Sequence, residues 1–300
     1  MAIGCNCNVG LSNTGRPNCV PVFSVVSNLI AVPLYANDGS RNGIDLSSAL
    51  PVWPSLVNQT DSSKRWFPIP AFENVELPKA DSQFEEANSG RMVFLRQGKR
   101  SFAGELWADD STPTFLGKLQ ANRCVDFGVY IVDVNGNLIG SEENGFLYPI
   151  PVDNPSWDPK FMFATDSTTQ KIMLGFDFDR LFDESTMYMI TPDEAGIDFG
   201  TLKGLIDVEL NVVSDTTTGV VVEAKFHYGT ALNKILFKGG TVADFAAYNN
   251  TDAVAVTLSS CVEGPDGTYT ITYSSAQTAA DSITLRVIKQ GFTGSVTYTV

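Results

Sequence analysis

The sequence predicts a mainly β protein of two domains, on three observations. Short β-prone runs recur along the chain between clusters of Gly, Pro, Ser, Thr and Asn. Hydrophobic residues make up 43% and charged residues only 18% of 300 positions, enough to bury a sizeable core, and the length favours two domains. The texture also changes near residue 204, after which strand-like runs follow one another closely. The expected division is an extended N-terminal arm over 1–22, a β domain with Pro-rich excursions over 23–203, and a β domain over 204–300.

Residues 1–22 are rich in Gly, Asn and Cys and read as an arm rather than a core element. Residues 23–34 are β-prone, with Pro33 placing the end of the run at an edge or bulge. Asn37-Asp38-Gly39-Ser40 is turn chemistry. Residues 47–72 carry Pro51, Pro54, Pro68 and Pro70 among Trp53, Trp66 and Phe67. Such a segment lies extended, and its aromatics either cover their own core or form a subunit contact.

Residues 73–140 read as the central unit. Apolar runs at 92–95 and 102–107 flank Arg96-Gln97-Gly98-Lys99-Arg100-Ser101, the pattern of a hairpin with a cationic tip. Thr112-Pro113 predicts the cap and first turn of a short helix reaching Ala121. Residues 125–132 are strongly β-prone, and Asn135-Gly136 suits the two left-handed positions of a type I′ turn. A second Pro-rich passage follows at 141–172, then a strand over 170–176. Phe178, Leu181 and Phe182 have the spacing of one helical turn, and 187–190 is a last strand.

Beyond 204, seven strand-like runs are legible: 206–213, 219–228, 234–238, 253–258, 268–273, 282–288 and 295–300. Alternation is clean in 268–273 and 282–287. Seven short strands in about a hundred residues is the pattern of an Ig-like β-sandwich.

Chemistry is sparse. The net charge of −14 argues against nucleic acid as an affinity target, which needs clustered Lys and Arg. The single histidine, His227, lies within a strand run and rules out most triads and histidine-based metal sites. Cys5, Cys7 and Cys19 are weak candidates for a metal, lacking the second close pair of a structural zinc site. Buried or free thiols are the plainer reading, and five scattered cysteines fit a reducing cytoplasm better than a disulfide framework. The opening MAIGCNCNVG lacks the basic and apolar regions of a signal peptide, and no apolar run reaches the about 20 residues that span a bilayer. Residues 133–137 resemble the start of a calcium loop, but Leu138 replaces the glycine and Asn144 the closing glutamate. Asp177, Asp179, Asp183 and Glu184 form an acidic cluster whose plain reading is a solvated face and whose sharper one is a glycosidase pair. Phosphate-loop and nucleophile-elbow motifs do not occur in a suitable context. No catalytic residue and no cofactor is therefore expected. Arg96, Lys99 and Arg100 form the one compact cationic feature, read as a solvated tip or as a contact to an acidic neighbour.

The opening MAIGCNCNVGLSNTGRPNCVPV, the stretch IAVPLYANDGSRNGIDLSS and residues 102–140 resemble virion structural proteins of short-tailed, crAss-like bacteriophages. The hairpin–helix–hairpin order of 73–140 is similar to the β-sandwich unit of phage tail-tube and ring proteins. The resemblance covers roughly residues 1–200. It implies a tail-tube-like β domain and a non-enzymatic ring or collar component of the tail beneath the portal. The implied assembly is a closed homo-oligomer on the order of six or twelve copies, touching portal, tail or capsid proteins, with DNA only as transiting cargo. Its implied location is the virion, assembled in the host cytoplasm, with no membrane. Oligomer contacts are expected at Arg96, Lys99, Arg100, Trp53, Trp66 and Phe67. The alternative is an Ig-like carbohydrate-binding, host-adhesion or capsid-decoration protein using exposed aromatics such as Tyr269, Tyr273 and Tyr298.

Overall fold

The computed structural model describes residues 22–230, 232–289 and 291–300, together with Gly15. The chain divides into two compact units, the first ending at Lys203 and the second covering Gly204–Val300. The arm expected over 1–22 lies outside the described residues apart from Gly15 and Val22.

Among the described residues the first unit carries fourteen strands: β1 (Val26–Pro33), β2 (Ile44–Asp45), β3 (Phe67–Ile69), β4 (Glu73–Glu76), β5 (Gln83–Glu86), β6 (Met92–Arg96), β7 (Ser101–Trp107), β8 (Phe127–Asp133), β9 (Leu138–Glu143), β10 (Phe146–Tyr148), β11 (Ile150–Pro151), β12 (Asp158–Met162), β13 (Lys171–Asp177) and β14 (Met187–Ile190). Helices α1 (Trp53–Val57), α2 (Pro113–Ala121) and α3 (Pro192–Ala195) are short. One antiparallel sheet runs β2-β10-β9-β8-β1-β3, with β11 added to β8 and β14 to β9; a second runs β12-β13-β7-β4.

All seven residues of β8 are buried because both faces of its sheet are covered. Phe127, Val129 and Ile131 face a core shared with Phe102 and Leu106 of β7 and Ile172, Leu174 and Phe176 of β13. The period-2 alternation of β7 and β13 turns their large apolar residues inward and leaves Glu105, Trp107 and Lys171 outward. On the opposite face Tyr130 packs on Trp66 at 5.0 Å between ring centroids, and Trp66 packs on Trp53 at 5.8 Å. The Pro-rich segment thus lies over the sheet and buries its tryptophans there. Helix α2 forms as its start signal dictates: Thr112 accepts a hydrogen bond from Phe115 N and Pro113 opens the first turn. It is seated by Trp157, fully buried, whose Nε1 donates to Leu119 O at 2.7 Å.

Three local expectations are corrected. The runs at 92–95 and 102–107 are not hairpin partners: β6 pairs with β5, while β7 pairs with β13 and β4. The inward residues of β7 draw it into the core between the two sheets, and β6, with no such alternation, remains outside. The turn after β8 has one left-handed residue, Gly136 (φ +77), in a three-residue loop. The buried Asp133 carboxylate organises it, accepting from Asn135 N, Asn137 N and Asn137 Nδ2. Phe178, Leu181 and Phe182 form no helical turn. Phe178 bridges to Val152 and enters the core, whereas Leu181 is exposed.

Among its described residues the second unit has nine strands: β15 (Ile206–Thr216), β16 (Gly219–Gly229), β17 (Lys234–Leu236), β18 (Phe245–Asn249), β19 (Val254–Val256), β20 (Leu258–Glu263), β21 (Thr268–Tyr273), β22 (Ser282–Lys289) and β23 (Phe292–Thr299). Two antiparallel groups, β20-β21-β16-β15 and β23-β22-β18-β19, are joined where β15 and β23 run parallel through Ile206–Phe292 and Asp207–Thr293. The two end strands, β19 and β20, are separated in the chain by Thr257 alone, so the sheet is a nearly closed mixed barrel. Alternating residues of β16, β21 and β22 fill it, with Tyr269, Ile271, Val222, Leu285 and Val287 fully buried. The sequence reading missed β18 and merged β19 with the start of β20.

Candidate functional site

Between β4 and β7 the chain leaves the packed sheets as an extended ribbon and returns. Its root is a crossing of backbone on backbone: Ser101 N donates to Pro78 O, Ala80 N to Lys99 O, and Lys79 bridges to Arg100. Gly98 is required there, since a Cβ would lie 1.7 Å from Ala80 O. Around this crossing Arg100 Nε donates to Glu184 Oε1 at 2.6 Å and Lys79 Nζ to Glu184 Oε2 at 2.9 Å. Lys99 Nζ donates to Asp177 Oδ2 at 2.9 Å and lies 3.6 Å from Asp153 Oδ2. The Arg100 hydrogen bond, helped by Lys79, holds the Glu184 carboxyl below its ordinary range despite partial burial. Burial works to raise Asp177, but hydrogen bonds from Ser101 and Lys99 outweigh it and leave this carboxyl lowered as well. The expected cationic tip is therefore a root, and Lys99 and Arg100 are bound to acids of their own chain.

Beyond the root, β5 and β6 form a two-stranded sheet of their own. Gly90 (φ +79) makes the turn, where Ala87 N donates to Arg91 O. All nine strand residues are exposed, and none belongs to a core cluster. The register places Phe84 opposite Phe94 and Glu86 opposite Met92, so Phe84, Met92 and Phe94 share one face. The two rings meet edge to face at 5.6 Å. Val93 and Leu95 occupy the other face, and Arg91 and Arg96 bracket the apolar run. Arg96 Nε donates to Gln83 Oε1 at 2.8 Å.

The same unit presents a concave counterpart. Where β3 begins opposite Ala31, a groove of about 470 Å³ opens beside β1, lined by Val32, Tyr35, Phe67, Val125 and Phe127 with Asp126 among them. Phe67 is 40% exposed, unlike Trp53 (3%) and Trp66 (5%). Trp53 and Trp66 are thus core residues; Trp53 Nε1 donates to Ala195 O at 2.9 Å and its ring meets Phe199 at 4.8 Å.

Other sequence candidates are placed as follows. Cys5, Cys7 and Cys19 lie outside the described residues. His227 is partly exposed on β16, its Nδ1 3.7 Å from Glu209 Oε2. Asp179 and Asp183 each accept a backbone N–H two residues on, from Leu181 and Ser185, and so act as separate turn caps. Tyr269 and Tyr273 are buried, and their hydroxyls bond to Phe237 O and the Tyr298 hydroxyl. They offer no aromatic platform to a sugar. Among the described residues no group of three or more His, Cys, Asp or Glu is placed to hold a metal ion, and no helix is long and apolar enough to cross a membrane. The feature that sequence reasoning missed is the exposure of Phe84 and residues 92–95. The available signal was an unalternated apolar run facing a polar one, Gln83-Phe84-Glu85-Glu86, with a turn-forming Asn88-Ser89-Gly90 between them. Comparison with known proteins finds no matching family model and no matching curated protein.

Proposed function

We propose that this chain is a non-enzymatic structural subunit of a bacteriophage virion, assembling in multiple copies as a ring or collar component of the tail and forming part of the DNA conduit. The observation that carries this reading is the β5–β6 ribbon. A two-stranded sheet is marginal alone in water, and one with Phe84, Met92 and Phe94 on one exposed face gains most by being covered. Its root is clamped by ion pairs to the sandwich, so the ribbon is held ready rather than folded back. Further support comes from the charge of −14, which in a channel wall repels DNA and lets it slide. We read the first unit as tail-tube-like on its two packed sheets with α2 against β12. We read the second as Ig-like: β15, β16, β21 and β20 follow the A-B-E-D order and β23, β22, β18 and β19 the G-F-C-C′ order of that sandwich.

Mass photometry and negative-stain micrographs of the purified protein test the reading. Closed rings, and co-purification with portal or tail proteins, are the expected result. A strict monomer that never accompanies virions overturns it.

A further inference from the structure

The ribbon and the groove belong to one chain, yet each is open to solvent. We propose that the Phe84–Met92–Phe94 face of one copy docks into the groove of a second copy of this chain, against Tyr35, Phe67 and Val125. The proposal rests on the multi-copy reading above and deepens it by naming the two surfaces.

Shape, hydrophobicity and charge select a second copy as occupant. The ribbon face projects Phe84, Met92 and Phe94 into solvent with Glu86 beside Met92; the groove is concave, largely apolar with a polar edge at Ser62, Ser63 and Asn122, and of a size that takes a few large side chains. Arg91 and Arg96 bracket the apolar run, and the chain they would meet has 34 acidic residues against 20 basic ones, with Asp126 in the groove itself. The two surfaces differ, so the contact is head-to-tail: each copy gives a ribbon and receives one. Such contacts propagate until they close, which makes a ring the natural end state. Phe67 and Arg96 then lie on opposite sides of one interface.

The test places a photo-crosslinking benzoylphenylalanine at position 94 in full-length protein mixed with isotopically labelled wild-type copies. Cross-links from position 94 to peptides holding Tyr35, Phe67 or Val125 of the other isotope are the expected result. In parallel, Phe94→Asp is expected to weaken association by about 100-fold, the effect of losing an interface anchor, while the thermal midpoint of the isolated subunit stays put because the ribbon lies outside both cores. Phe67→Asp on the groove side is expected to act alike. Rings that persist in Phe94→Asp, or cross-links that fall within one chain or join ribbon to ribbon, overturn this proposal and leave the ring reading standing. A wild-type protein that stays monomeric at every concentration overturns both.

Discussion

Replacing Trp53 separates a core role from an interface role. Its indole is 3% exposed, so nearly all of an aromatic surface of roughly 200 Å² is withdrawn from water. At about 25 cal/mol per Å² that burial is worth about 5 kcal/mol as an upper bound. Ring contacts with Phe199 at 4.8 Å and Trp66 at 5.8 Å add about 1 kcal/mol, and truncation leaves a void between those two rings. Trp53→Ala should therefore lower unfolding stability by about 4 kcal/mol, within the range of large-to-small aromatic substitutions. Trp53→Phe keeps most of the volume but removes the donor to Ala195 O, and should cost about 1.5 kcal/mol. Urea denaturation followed by far-UV circular dichroism at two protein concentrations is the assay. The loss should appear as a shift in midpoint at constant slope, since the native and denatured surfaces barely change. A Trp53→Ala protein of wild-type stability that fails only to assemble would show that the indole serves an interface after all.

Gly136→Ala should cost about 2 kcal/mol in the same assay: the position has φ +77, and a Cβ would lie 2.2 Å from Asp198 Oδ1, displacing the cap on Gly200 N. Asn at 136 should do no better, because the clash is with Asp198 and not only with backbone preference. The Glu184 clamp makes part of the stability pH-dependent. Its carboxyl is lowered in the folded protein, so the contribution is complete above the ordinary carboxylate range near pH 4 and is lost as pH falls through the folded value. Wild type should exceed Glu184→Gln by about 1 kcal/mol at pH 7 and by nothing near pH 2; a gap that widens on acidification contradicts the assignment. Burial pushes the Cys261 thiol up to about 11, so at pH 8 on the order of one thiol in a thousand is ionised there. Brief alkylation of native protein followed by peptide mass mapping should label the exposed Cys124 and spare Cys261.

Legibility followed the range of the interactions involved. Helix α2 was readable because its start is written in two adjacent residues, Thr112 and Pro113, and the cap closes within four positions. Strand β8 was readable because an unbroken apolar run has few uses other than a strand buried on both faces. Pairing was not readable where the partner lies far off. Strand β7 looks joined to its neighbour in sequence, but its register partner is β13, with Phe102 opposite Phe176. The cations at 99 and 100 looked like a solvated tip because their partners, Asp177 and Glu184, come some eighty residues later. Trp53 and Trp66 were ambiguous for the same reason, their neighbours Phe199 and Tyr130 also being remote in sequence. In the second unit β18 escaped notice because Phe245-Ala246-Ala247-Tyr248-Asn249 carries small residues where β-branched ones are expected. The ribbon went unread as a surface because exposure is a property of what fails to pack: the unalternated run at 92–95 hinted at it, but it is the distant pairing of β7 with β13 that leaves β6 outside.

The parallel contact of β15 with β23 has a mechanical meaning. A pull applied through residues 204 and 300 reaches these two strands at opposite ends, so it slides one along the other instead of peeling them apart. The backbone bonds near Ile206–Phe292 and Asp207–Thr293 then bear the load together, and the barrel behind them opens only after they have yielded as a group. An unzipping geometry would break them one at a time at lower force. The second unit is thereby expected to resist a pull along the chain by shear at the β15–β23 contact rather than by unzipping.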